Sequence, residues 1–104
     1  MTGWLPEGAE EWGGRPVAHS VAAAGSRQRA VLDAVVRSAT ERGSGLKVVY
    51  EAVIDDGTGA LTLRWIGRRN VPGLVPGAQI HSEGTVLAEE AGNVLLNPLY
   101  RFRA

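Results

Sequence analysis

The sequence predicts an all-β domain of five short strands closed into a barrel, and three observations carry that expectation. Two consecutive runs, Leu46 to Asp55 and Leu61 to Gly67, alternate apolar and polar residues with the period of two that half-buried strands show. Between them stands Asp55-Asp56-Gly57-Thr58-Gly59, and Asp-Gly flanked by strand-like runs is a strong hairpin marker because glycine supplies a positive φ. The remaining runs are short, punctuated by glycine, proline and asparagine, with no long helical period between them. A barrel removes most of the edges that so small a sheet exposes.

The elements follow in order. Met1 to Gly14 holds four glycines, one proline and three glutamates without an apolar period, and is expected as a mobile or loosely attached arm. Trp4 and Trp12 stand out there, either as docking residues or as part of a disordered segment. Val17 to Gly25 is alanine-rich and predicts a short helical turn ended by Gly25. Residues 1–28 are thus assigned to an N-terminal arm and residues 29–104 to the barrel. Ala30 to Thr40, rich in valine and leucine, predicts the first strand. Leu46 to Asp55 is the second, with Leu46, Val48, Tyr50, Ala52 and Ile54 inward, and Lys47, Val49, Glu51, Val53 and Asp55 outward. In the third, Leu61, Leu63 and Trp65 face in while Thr62, Arg64 and Ile66 face out. Arg68 to Gly77 contains two Pro-Gly turns and reads as a connector across one end of the barrel. Ala78 to Glu89 is the fourth strand, bent at Gly84. Val94 to Phe102 is the fifth, and Pro98, which lacks an N–H, places part of it at an edge or seam.

Composition bounds the function. A chain of 104 residues has room for one core. Its apolar runs fall short of the roughly 18 residues a membrane span needs, so no membrane role is expected. The start of the sequence does not resemble a secretory signal, and cytoplasmic residence is the default expectation. There is no cysteine, which excludes disulfides, thiolate nucleophiles and thiolate zinc sites. Eleven basic residues balance eleven acidic ones. Glu7, Glu10 and Glu11 all precede the first basic residue, however, so from Arg15 onward eleven basic residues face eight acidic ones. That is a weak lean toward anionic partners.

Catalytic constellations are missing from the sequence. Asp55 and Asp56 are adjacent carboxylates, but neighbours in a turn diverge and turn chemistry explains both. His19 and His81 are far apart, without ligand spacing or a serine-base arrangement, and His81 reads as an outward surface residue of the fourth strand. No phosphate-binding glycine-lysine loop or dinucleotide fingerprint is present. A non-enzymatic protein without a cofactor is expected.

The hairpin at Asp56-Gly57-Thr58-Gly59, the following LTLRWIGRR, the Val71-Pro72-Gly73 and Val75-Pro76-Gly77 turns, and Glu83-Gly84-Thr85-Val86 ahead of Asn97-Pro98 occur in the order found in one family. Over Arg29 to Phe102 the chain resembles OB-fold nucleic-acid-binding domains of the anticodon-binding type, and is especially similar to small stand-alone actinobacterial proteins of that kind. The resemblance implies a five-stranded Greek-key barrel that binds single-stranded or distorted nucleic acid on the face of its second and third strands. It also implies a loop in place of the helix usually found between the third and fourth strands. The family often has a glycine midway along the first strand, where this chain has Ala34, so the bend is expected to shift or be shallower.

The candidate binding residues are Lys47, Arg64, Trp65, Arg68 and Arg69. Three arginines within six residues supply phosphate donors. In related wedge domains of fork-processing helicases an aromatic near the end of the third strand stacks on a base, and Trp65 is the ring in that region. Its alternation with Leu61 and Leu63 points instead to core packing. Two readings of function result. One is a nucleic-acid-binding module favouring single strands of DNA or RNA. The other is a protein-interaction or homodimerisation domain accessory to a larger complex, supported by near-zero net charge and outward Val49 and Val53.

Overall fold

A computed structural model of the chain describes residues 11–12 and 15–103. The readings of Trp4, Pro6, Glu7 and Glu10 lie outside the described residues. Among the described residues there are eight strands: β1 (Glu11–Trp12), β2 (Arg15–Pro16), β3 (Arg29–Arg42), β4 (Val49–Asp55), β5 (Ala60–Ile66), β6 (Gln79–Glu89), β7 (Gly92–Leu96) and β8 (Leu99–Phe102). β1 and β2 form a two-residue antiparallel pair. The other six make one sheet in the order β3-β4-β5-β7-β6-β8, and a further β3–β6 pairing closes five of them into a ring. Neighbours in the ring are antiparallel except β5 and β7, which run parallel through Thr62↔Val94 to Arg64↔Leu96.

The alternating sequence decides which side of each strand is buried. Leu61, Leu63 and Trp65 from β5 meet Ala52 and Ile54 from β4, Ala30, Leu32 and Val36 from β3, Ile80 and Val86 from β6, and Leu95 from β7 in one core. β3 is longer than expected and serves two partners, pairing with β6 over Arg29 to Val35 and with β4 over Val35 to Arg42. Its register shifts between Val36↔Ile54 and Ser38↔Val53, so Arg37 is an inserted bulge residue. That bulge bends the strand locally at Arg37, three residues beyond Ala34.

The structure differs from the sequence expectation in three further elements. The second strand begins at Val49 rather than Leu46, because Gly45–Lys47 forms one turn of 3-10 helix. Gly43, with φ 78°, makes this compact loop possible, since a Cβ there would lie 2.3 Å from the Lys47 carbonyl oxygen. The fifth run is two strands, not one. Val86 pairs with Leu95 in β7 but Glu83 pairs with Leu99 in β8, so one residue is inserted where Asn97 takes a left-handed φ of 45°. Buried Pro98 sits in that break, outside both ladders.

Finally, residues 17–25 form hydrogen-bonded turns and no helix. Ala24 N–H donates to the Val21 carbonyl at 3.1 Å, and the segment is fastened to the barrel. Ala18 bridges Ala30 of β3, Arg27 N–H donates to the Val86 carbonyl at 2.7 Å, and Val21 N–H donates to Asp56 Oδ2 at 2.8 Å. Contact with these fixed partners, rather than local helical propensity, sets the conformation of the segment.

Candidate functional site

The outward face of β3, β4, β5 and β7 is built in rows by register. Residues directly opposite each other on neighbouring strands share a face. One row runs Ser38, Val53, Thr62, Val94; the next Thr40, Glu51, Arg64, Leu96; the third Arg42, Val49, Ile66. The middle row is an ion network. Arg64 donates through Nε to Glu51 and through Nη1 and Nη2 to the two oxygens of Glu89, at 2.8 and 3.1 Å. Arg42 approaches the other Glu51 oxygen at 3.0 Å. The hydrogen bonds to Glu89 and Glu51 hold the Arg64 guanidinium above the usual arginine value, and the same bond from Arg64 holds the Glu89 carboxyl below the usual carboxylate range. With its side chain 24% exposed and three donors committed, Arg64 offers few free donors for a phosphate.

The third row ends at a cationic lip. Gly67 N–H donates to the Val48 carbonyl at 2.8 Å, which brings the loop after β5 against the loop before β4. Lys47 and Arg68 therefore lie at one end of the barrel with Arg42 and Arg69, and Arg69 reaches Glu41 at 3.7 Å. Among the described residues Lys47 and Arg68 have no carboxylate partner; Arg68 Nη1 donates to the Tyr100 hydroxyl at 3.4 Å. Ile66, 52% exposed, and half-buried Val49 provide an apolar platform beside these cations. The alternation in sequence places both Val49 and Ile66 outward, although neither is among the five candidate binding residues.

Trp65 is 3% exposed and faces the core, where its ring meets Tyr100 edge-on at 5.3 Å. Tyr100 in turn meets Phe102 at 5.8 Å. Among the described residues the indole Nε1–H finds no acceptor, and stacking on a base would require the ring to leave this packing. The structure thus brings Lys47, Arg68 and Arg69 together and sets Arg64 and Trp65 apart from them, one in the ion network and one in the core.

Elsewhere, His81 points outward from β6 as expected, but it is not isolated. Its Nδ1 is 3.0 Å from Asp33 Oδ1 and its Nε2 is 3.6 Å from Glu83 Oε1. At the β4–β5 turn Asp55 and Asp56 do turn chemistry. Asp55 accepts from Gly57 N–H at 2.8 Å, and Asp56 accepts from the Thr58 N–H and hydroxyl at 2.9 and 2.6 Å. Gly57 has the positive φ, 90°, that the hairpin demands.

Against solved structures the chain is similar to the HINb domain of p204, with a TM-score of 0.62 over 78% of this chain at 20% identity. The match spans 42% of that chain. Together with the ring order β3-β4-β5-β7-β6, it decides the architecture. The fold is an OB barrel. No protein-family model matches the sequence, and no curated protein matches it either. In this OB barrel the predicted second and third strands are β4 and β5, and the cationic lip stands at the end of their outward face.

Proposed function

We propose that the OB barrel is a non-catalytic nucleic-acid-binding module that takes single strands along the outward face of β4 and β5. The observation that supports this most is the cationic lip, where Lys47 and Arg68 have no carboxylate partner among the described residues and stand beside the apolar Ile66 and Val49. Backbone phosphates meet the free cations, and a base rests on the aliphatic platform. The limited number of free cations makes this a weak, salt-sensitive binder with little sequence preference. Arg69 adds a third contact when a phosphate displaces its exposed, 3.7 Å pairing with Glu41.

The test is a fluorescence-anisotropy titration of labelled single-stranded and duplex DNA and RNA at several salt concentrations, beside a Lys47/Arg68/Arg69 triple alanine variant. The expected result is stronger binding of single strands, with the plot of log K against log salt flattened in the variant by about 2 for three lost phosphate contacts. Equal binding by the triple variant, or no binding at low salt, overturns the proposal.

A further inference from the structure

Among the described residues β8 pairs with β6 alone. Arg103 N–H donates to the Gln79 carbonyl at 3.0 Å, and hydrogen-bonding direction alternates along an antiparallel strand. The backbone groups of Leu99 and Arg101 therefore also point to β6, while those of Tyr100 and Phe102 point away from it. Among the described residues no group accepts or donates at that outer edge. Unpaired strand edges are templates for another extended chain.

Three further features lie on the same four-residue strand. Leu99, 64% exposed, is the most exposed large apolar side chain among the described residues. Arg101, on the same face as Leu99, is exposed and has no carboxylate partner there. Its neighbours are compensated, because Arg29 approaches Glu83 at 3.8 Å and Arg103 approaches Asp33 at 3.5 Å. Between β6 and β8 an open depression of about 300 Å³ is lined by His81, Glu83, Leu99, Tyr100 and Arg101. An edge, an apolar knob, an uncompensated cation and a recess for a side chain thus coincide.

We propose that the outer edge of β8 is a strand-addition site for an extended segment of a partner protein in which a carboxylate and an apolar residue stand two positions apart, on one face. Main-chain bonds to Tyr100 and Phe102 supply the affinity, while a carboxylate at Arg101 and an apolar side chain at Leu99 fix the register. A second copy of this chain does not meet that description. β8 carries no carboxylate, so β8 paired with its own counterpart brings none to Arg101, and in the register that sets Tyr100 opposite Phe102 the two copies of Arg101 face each other.

The probe is a synthetic peptide with glutamate and valine in turn at every second position and threonine between them, titrated into isotopically labelled protein and followed by amide chemical shifts. Shifts centred on Tyr100 and Phe102, and binding lost when the peptide amides are N-methylated, are expected. Arg101→Glu weakens the glutamate peptide by about tenfold or more, and the same variant regains affinity for the lysine-valine counterpart. Because Arg101 is exposed, the variant's unchanged spectrum elsewhere serves as the folding control. The idea fails if the N-methylated peptide binds equally well, if the shifts fall on β4 and β5, if no binding occurs, or if the chain itself dimerises through this edge. Oligonucleotide binding is read separately, by anisotropy with the Lys47/Arg68/Arg69 variant that leaves Arg101 intact, so the two proposals fail separately.

Discussion

Arg64 shows how far a residue's neighbours alter its chemistry. In sequence it is one of three arginines within six residues; in the barrel it bridges Glu51 from β4 and Glu89 from β6. Glu89→Gln removes the charge that holds two of its donors. If the β4–β5 face takes phosphates, that substitution is expected to tighten oligonucleotide binding by about threefold at low salt, checked by the same anisotropy titration. Asp56 is the second such residue. Burial alone would raise its pKa, but bonds from the Thr58 hydroxyl and from backbone N–H groups outweigh it and hold the carboxyl below the usual range. A depressed folded value means that ionised Asp56 stabilises the fold above about pH 4 and that this contribution is lost as pH falls through the folded value. Asp56→Asn is expected to cost about 1 kcal/mol at neutral pH and to flatten the acid limb of stability measured by urea unfolding.

Among the elements, the break between β7 and β8 shows most clearly how local chemistry shapes the barrel. Asn97 N–H donates to the Arg64 carbonyl, and Asn97 Oδ1 accepts from Ile66 N–H at 2.9 Å, so this residue extends the parallel β5–β7 seam past its last ladder pair. Asparagine tolerates the left-handed conformation better than most residues with a Cβ. Asn97→Ala loses both the acceptor and that tolerance, at an expected cost of about 1–2 kcal/mol in denaturant unfolding. Asn97→Gly keeps the conformation and loses only the bond. It is expected to cost less, with Ile66 amide exchange accelerated in both variants.

For the whole molecule, closure of the ring and attachment of residues 17–28 are coupled. Ala18 N–H donates to the Arg29 carbonyl and Val31 N–H to the Ala18 carbonyl, each at 2.9 Å, while Val86 N–H donates to the Gln28 carbonyl at 2.9 Å. These bonds tie the segment to both β3 and β6, the pair that closes the barrel. A chain begun at Arg29 is expected to be less stable than one begun at Val17 by several kcal/mol, at about 1 kcal/mol per bond lost together with burial of Ala18 and Ala24. Urea titration of the two truncated chains measures the difference.

The sequence by itself determined the inward faces of the two central strands, because alternation in Leu61, Leu63 and Trp65 or in Ala52 and Ile54 is a local property that every sheet arrangement must respect. The Asp-Gly hairpin was legible for the same reason. Sequence alone also placed Arg68 and Arg69 in a loop, whereas Lys47, read as an outward residue of the second strand, lies in the turn before β4. Only the tertiary structure decided that Arg64 faces Glu89, twenty-five positions away, that the bend of β3 falls at Arg37, and that β8 is left with an open edge. These depend on which strands become neighbours once the ring closes, and that is fixed by pairing across the whole chain rather than by any short run of residues.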